Sequence, residues 1–452
     1  MIENRTVGGA CANRGCLPSK TLIEAARAFH EARHPRYAAI QPSTPALDVA
    51  ALIQRKDALV RDYRAGKYER VAAEDAHVEI VAGTARFTDA HTVTIASDSD
   101  TRLARSQRFL IATGSVPHIP AIPGLDTISY LTSDLLASDE DMELRTLPES
   151  LLIAGGGYVA LELGQMFARF GTAVTIIERG PHVLAHGFEP ETGRAIERIF
   201  ADEGITVLRN ARIERVWRDG ERGVMADVAL SGERRGFRGE RLLVATGRVP
   251  ATQGIGLDRA GVALDASGAV IVDTTLRTTA PHIWAAGDVI GDQADSQMAT
   301  PVGAHDGAIA ARNALGDGSA VEVNHRVIPR AVFTDPQIAT VGMTDREARA
   351  AGHRCWCNTV PLELVPRAVV IHDTRGFIKM VADDSTSEVL GVTMVGRDAA
   401  EVIHEAAMAL RFHATIDDFR TMPHVYPTMA EALKFVAISR YKDPSRLSCC
   451  AE

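Results

Sequence analysis

Apolar and polar positions follow three successive textures along the chain. Residues Leu22-Ile23-Glu24-Ala25-Ala26-Arg27 favour a helix, entered from a Gly-rich stretch through Pro18, a residue suited to a first helical turn. Val49 to Glu74 mixes charged and apolar residues at helical spacing, and Val78-Glu79-Ile80-Val81-Ala82 and Val93-Thr94-Ile95 read as strands. Phe109 to Ser115 is predicted as a buried strand ending at a Gly turn, and the Pro cluster from Pro117 to Pro123 suggests a boundary near Gly124.

The second texture is strand, glycine turn, helix, strand. Leu151-Leu152-Ile153-Ala154 runs into Gly155-Gly156-Gly157-Tyr158-Val159-Ala160, a helix through Phe170 follows, and Ala173 to Glu178 is the next strand. Leu242 to Arg248 repeats the Ala-Thr-Gly turn of Ala112-Thr113-Gly114, which implies two related halves. Ile283-Trp284-Ala285-Ala286 is another apolar strand, ending in Gly287-Asp288. From about Gly316 the texture changes again: strands at Ala331 to Thr334, Gly376 to Val381 and Val389 to Val395, then a helix from Ala399 to Phe412, predict a separate α+β domain with an antiparallel sheet.

Composition narrows the class. With 452 residues the chain is about three domains long, and 46% hydrophobic with 24% charged residues describes a globular protein. A net charge of -9 without a basic block argues against nucleic acid or an anionic membrane as the main partner. No apolar run approaches the ~20 residues that span a bilayer, and Met-Ile-Glu-Asn-Arg does not read as a signal peptide, so the cytoplasm is the expected location. Six cysteines fall in three pairs, Cys11/Cys16, Cys355/Cys357 and Cys449/Cys450, which is no secreted disulfide scaffold.

Candidate chemistry gathers at three places. Gly155-x-Gly157-x-x-Ala160 lets backbone N-H groups approach a pyrophosphate at a helix start, and Glu178, 23 residues after the first Gly, closes the next strand, a pattern for dinucleotide binding. Cys11 and Cys16 lie at a helix start, where partial positive charge favours a thiolate; redox chemistry, metal binding and a structural disulfide all remain open on spacing alone. Cys449-Cys450, adjacent at an exposed terminus, adds nothing to a core, and two thiolates suit a soft, linearly coordinated cation. Asp288 is either a cofactor ligand or an Asx turn. Cys355 and Cys357 would share a face if they lie on a strand, with a bland packing role the default. His305, His404 and His413 have no metal-ligand spacing.

Together the motifs Gly8-Gly9-x-Cys11-x4-Cys16-x-Pro18-Ser19-Lys20, both Ala-Thr-Gly turns, the central glycine unit and Ala286-Gly287-Asp288 resemble the flavoprotein disulfide reductases. The resemblance implies two Rossmann-like domains and a C-terminal α+β dimerisation domain: FAD at 1-124 and 251-316, NAD(P) at 125-250, dimerisation at 317-452. It implies that Cys11 exchanges with substrate and Cys16 lies against the flavin, with Lys20 nearby and paired with Glu162. Other implied cofactor positions are Glu3, Gly9, Thr113, Gly114, Ser115, Gly287 and Asp288, then Gly155, Gly157, Tyr158, Ala160, Glu178 and Gly247, with Tyr158 lining the nicotinamide pocket. Met1-Ile2-Glu3 resembles the end of a strand whose acid holds a ribose hydroxyl; the preceding strand and glycine loop of that unit are expected about 30 residues earlier and are not in the sequence.

Within the family the C-terminal segment discriminates. Disulfide-reducing members carry His-x-His-Pro-Thr-x-x-Glu, the second His acting as acid/base; here His424-Val425-Tyr426-Pro427-Thr428-Met429-Ala430-Glu431 has a phenol in that place. A phenol with pKa near 10 takes a thiol proton poorly at neutral pH. Tyr426 resembles the mercuric reductase branch, as do Val365 to Ala368, Asp373 to Lys379, Lys67-Tyr68-Glu69 and the Cys449-Cys450 tail. That branch implies reduction of Hg(II), delivered as a thiol complex, to Hg(0) by NADPH or NADH through FAD, in a homodimer. Cys11, Cys16, Cys449 and Cys450 would be metal-handling thiols, and Tyr68 and Tyr426 would lie beside the metal. The rival readings are a dihydrolipoamide dehydrogenase or other disulfide reductase, and a non-catalytic thiol protein that sequesters metal.

Overall fold

A computed structural model describes residues 1–97, 100–137, 144–221, 223–316 and 318–446. The central unit is a four-stranded parallel sheet in the order Thr206–Leu208, Ala173–Ile177, Ser150–Ala154, Arg241–Val244. Its middle strands are nearly continuous apolar runs because both faces are covered. The helix Tyr158–Arg169 packs on one face; a three-stranded antiparallel meander spanning Ala211–Asp219, Gly223–Leu230 and Glu233–Gly239 covers the other.

The flanking unit holds two parallel pairs, Ile2–Glu3 with Val81–Ala82 and Phe109–Ile111 with Ile283–Ala285, and an antiparallel sheet of Thr84–Phe87, Thr92–Ala96 and Thr101–Arg105. An antiparallel ribbon of Ser115–Pro117 and Arg248–Pro250 joins this unit to the parallel sheet. The C-terminal unit is a five-stranded antiparallel sheet ordered Arg330–Val332, Gln337–Gly342, Val389–Gly396, Phe377–Asp383, Cys355–Pro361, packed against the helices Ala399–Arg411 and Glu431–Ile438. One apolar core crosses all three: Leu22 and Ala26 meet Leu161, Met166 and Phe167, and also Val332, Ile338 and Phe377.

Three local predictions change in the structure. Only Val81–Ala82 of the segment from Val78 forms a strand; Val78 and Ile80 stay exposed, at 43% and 36%. The segment from Phe109 to Ser115 breaks at a turn over Ala112 to Gly114 before the ribbon begins. The long helix from Val49 is α-helical to Arg64, π-helical over Ala65–Glu69, and α-helical again over Arg70–Glu74. Such a wide turn shifts the phase of the residues it carries, here Tyr68, relative to the helix before it. Among the described residues no helix is long and apolar enough to cross a membrane.

Candidate active site

Cys11 lies in the short helix Gly9–Asn13 and Cys16 is the first residue of the helix Cys16–Arg33; both are free thiols, Cys16 the more exposed. The turn before them needs glycine. Gly8 has φ of 101°, and a Cβ there would lie 3.1 Å from the Tyr68 ring. Asn13, fully buried, fixes this turn: its Nδ2 donates to the carbonyls of Val7 (3.0 Å) and Gly9 (2.9 Å), and its Oδ1 accepts from Arg64 (3.2 Å).

The thiols share one easily lost proton. A hydrogen bond from Cys16 lowers the Cys11 pKa to about 6, opposed by burial and aided by Thr300 and Lys20. The Cys16 thiol, then facing a thiolate, is pushed up. The pair is therefore a monoanion at neutral pH, the form that attacks a disulfide or binds a soft cation. Tyr68, on the π-helical turn, senses both sulfurs; burial, Tyr63 and these thiols raise its pKa, so it stays a neutral phenol beside them.

Lys20 stands one turn along from Cys16. Its Nζ lies 2.8 Å from Glu162 Oε2 and 4.7 Å from the Phe333 ring centre, while Glu162 Oε1 accepts from the Phe333 N-H at 2.9 Å. Helix, sheet and C-terminal unit thus meet at one carboxylate. Tyr158, 45% exposed at the first position of its helix, lies within electrostatic reach of Arg248, Asp288, Glu162 and Cys16. Ser115 Oγ donates to Asp288 Oδ2 at 2.6 Å, and Arg248 donates to Ser115 Oγ and to its carbonyl, each at 2.7 Å.

The residues fit a flavin and a nicotinamide dinucleotide. A Cβ at Gly9, Gly114, Gly157 or Gly247 would meet no atom within 4 Å, so these backbones face open space that a cofactor can enter. Gly155, at φ 105°, has no such freedom, because a Cβ there would sit 2.5 Å from the Ala245 carbonyl oxygen. Ala160 is fully buried one turn on, letting its helix approach the sheet. Glu178 ends its strand against this loop: Oε1 accepts from the Gly180 N-H at 2.5 Å, and Oε2 would be 2.7 Å from a Cβ on Gly156. Gly287 packs against the start of the helix Thr300–Leu315 at Gly303, next to Asp288. Thr113 is exposed, and Glu3 Oε1 accepts from the Arg5 N-H at 2.9 Å.

Tyr426 is set apart from the thiols in the chain's architecture. It lies 49% exposed between the helices Ile416–Thr421 and Glu431–Ile438 of the C-terminal unit, beside Val425 at 77%. The neighbouring His424 is held by Glu405 (3.0 Å), which raises its pKa. Cys449 and Cys450 lie outside the described residues. Among the described residues no three or more His, Cys, Asp or Glu side chains form a metal cluster. Asn13, Thr300 and Arg248 are site residues that the motifs do not single out; for Arg248 the only sequence signal is its place directly after an Ala-Thr-Gly turn.

Paired thiols with one shared proton, a dinucleotide loop and a lysine-carboxylate pair between them define a nucleotide-dependent thiol redox enzyme. The chain belongs to the pyridine nucleotide-disulphide oxidoreductase family, whose model matches residues 1–311 and whose dimerisation domain matches residues 328–437. It is accordingly an NAD(P)H-dependent flavoprotein oxidoreductase with FAD as its flavin. It is similar to mercuric reductases: 44% identical to that of Streptomyces lividans, covering 100% of this chain and 93% of the relative, and 39% identical to that of Bacillus cereus, covering 100% and 69%. Among solved structures it is similar to the Cu(II) complex of the HOCl-induced flavoprotein disulfide reductase RclA from Escherichia coli (30% identity, TM-score 0.84, covering 98% of this chain and 93% of that one). It is also similar to LpdA from Mycobacterium tuberculosis (27% identity, TM-score 0.83, covering 98% and 93%).

Proposed function

We propose that the chain is a cytoplasmic mercury(II) reductase that converts Hg(II) and NAD(P)H to Hg(0), NAD(P)+ and a proton. The observation that carries this reading is the phenol Tyr426 where disulfide-reducing relatives keep an imidazole, together with a Cys11 thiol that ionises without an external base. Residues 1-124 and 251-316 hold the flavin, 125-250 the nicotinamide dinucleotide, and 317-452 the two-fold partner. FAD, when bound, takes hydride from the nicotinamide and supplies two electrons on the thiol side. Cys449 and Cys450 take Hg(II) from its thiol carrier by ligand exchange, each new S–Hg bond displacing a carrier thiol. Cys11, already a thiolate, then displaces one tail sulfur from the ion, and Cys16 displaces the other, its proton passing to the departing thiolate. Tyr68 and Tyr426, the latter from the partner subunit, flank the ion with their hydroxyl oxygens. Lys20, held by Glu162, would lie near the flavin. Asp288 and Ser115, fixed by Arg248, hold cofactor hydroxyls, as does Glu3.

The deciding experiment follows anaerobic NADPH oxidation by the flavin-loaded protein with HgCl2 and excess thiol, trapping the volatile metal. Hg(II)-dependent oxidation with Hg(0) release is expected, and Tyr426→Phe should lower it about 10-fold to 100-fold, the scale of a lost outer partner at a metal site. Turnover of dihydrolipoamide with none of Hg(II) would establish a disulfide-type enzyme instead. Cu(II) in place of Hg(II) tests the alternative cargo suggested by the Cu(II) complex of the RclA structure. A protein that binds mercury but neither takes up FAD nor oxidises NADPH would be a sequestering protein.

A further inference from the structure

Cys355 and Cys357 are absorbed by none of this chemistry, yet they occupy a defined place. They open the strand Cys355–Pro361, the outer strand of the five-stranded sheet, which pairs on one side only, with Phe377–Asp383. Strand alternation puts both thiols on one face and Trp356 on the other. Trp356 packs on the C-terminal core and under the Arg440 guanidinium at 5.5 Å. The thiol face looks instead toward the helix Asp345–Ala350, and both sulfurs are half-buried. Asp345 and Arg349, bonded to each other at 2.9 Å, both reach Cys357; Asp383 lies opposite Cys355 in register, and the Cys355 thiol donates to the His353 carbonyl at 3.6 Å.

Spacing decides what two such thiols can do. Residues i and i+2 of a strand are about 6.7 Å apart along the chain. A disulfide draws its Cβ atoms to about 3.8 Å, so this pair cannot close one without breaking the strand. A two-coordinate cation seated between the sulfurs spans a wider gap and suits side chains that lean together from neighbouring positions on one face. Burial and the nearby Asp345 keep both thiols protonated at neutral pH. That protects them from oxidation while leaving them able to exchange protons for a soft metal.

We propose that Cys355 and Cys357 form a second site for a soft, two-coordinate d10 cation such as Hg(II), on an outer strand of the C-terminal sheet. Binding exchanges two S–H bonds for two S–Hg bonds: Cys355-SH and Cys357-SH with Hg(II) give S–Hg–S and two protons, with no change of oxidation state. The site therefore stores cargo rather than reducing it, and it does not depend on whether the enzyme turns Hg(II) over.

The test titrates HgCl2 into the full-length, flavin-loaded protein in which Cys11, Cys16, Cys449 and Cys450 are alanine. One equivalent bound, two protons released, and both remaining thiols blocked to a thiol reagent are expected. Cys355→Ser or Cys357→Ser in that background should weaken binding about 10²-fold to 10⁴-fold, the advantage of a second ligand held in place. In the otherwise unaltered holoenzyme, the double variant Cys355→Ser/Cys357→Ser should bind one equivalent fewer, which keeps the proposal testable if the multiply substituted chain does not fold. Two equivalents with one proton each, single variants that bind as tightly as the parent, or an unchanged count in the holoenzyme would each overturn it.

Discussion

Lys20 and Glu162, 142 positions apart in sequence, meet at 2.8 Å and tie the thiol-bearing helix to the first helix of the dinucleotide unit. The carboxylate is buried and the ammonium about one-third exposed, so the two partners are not equivalent. Glu162 also accepts from the Phe333 N-H, which makes it the junction of three units.

Lys20→Met should therefore cost more than Glu162→Ala, because it strands a buried carboxylate without its cation, whereas the one-third exposed ammonium can lose its partner and still reach water. Glu162→Ala still leaves the Phe333 N-H without its acceptor, a loss of about 1–3 kcal/mol. Glu162→Gln, which keeps an oxygen for Phe333, should cost less than Glu162→Ala. Thermal unfolding of the flavin-loaded protein checks the order; equal midpoints for the Ala and Gln variants would remove Phe333 from the account.

The thiols give a pH dependence. Below about pH 6 both are protonated, and above it Cys11 is a thiolate held by the Cys16 hydrogen bond. The rate of Cys11 alkylation in the reduced protein should rise about tenfold per pH unit up to pH 6 and level off above it. Cys16→Ala removes the donor and should move the midpoint upward, toward the ordinary thiol value near 8.5. A midpoint that stays at 8 or above in the parent protein would contradict the shared-proton geometry.

What the sequence made legible was local. The strand-glycine-helix pattern at Leu151 to Glu178 depends on neighbours within one βαβ unit, and the structure has its elements as expected, at Ser150–Ala154, Tyr158–Arg169 and Ala173–Ile177. The same is true of Cys16 at a helix start. Illegible were contacts made across long separations: Arg248 reaches Ser115 across 133 residues, and Asn13 reaches Arg64 across 51. Nor does periodicity distinguish an α-turn from the π-turn at Ala65–Glu69, because both continue an apolar and charged helical face.

Arg169 shows how the dinucleotide and C-terminal units are held together. It binds Glu203 through two nitrogens (2.7 and 2.9 Å) and Asp335 through a third (2.9 Å), all three side chains largely buried, while Gln165 brackets the Asp335 backbone. Arg169→Ala leaves the two buried carboxylates only the more distant Arg375 guanidinium, 3.6 Å from Glu203 and 3.4 Å from Asp335, and should destabilise the protein by up to about 3 kcal/mol. Arg169→Lys keeps the charge but loses the fork, and should recover only part of that loss in denaturant unfolding. An Ala variant as stable as the parent would mean that water replaces the guanidinium at no cost.

The position of Glu178 predicts a bias toward NADH over NADPH. Its carboxylate is fixed at the end of the second strand of the dinucleotide unit by the Gly180 N-H and lies over the loop at Gly156. A ribose 2'-hydroxyl arriving there can donate to it, whereas a 2'-phosphate meets a like charge. Arg179, the next residue, offers the opposite charge and narrows the difference. Removing the acid takes away the repulsion and the hydroxyl's acceptor together, so both changes push the same way. Glu178→Ala should raise the ratio of kcat/KM for NADPH over NADH by about tenfold, roughly 1.4 kcal/mol of differential transition-state binding. Measured at coenzyme concentrations well below saturation, an unchanged ratio would mean that Arg179 alone governs the choice.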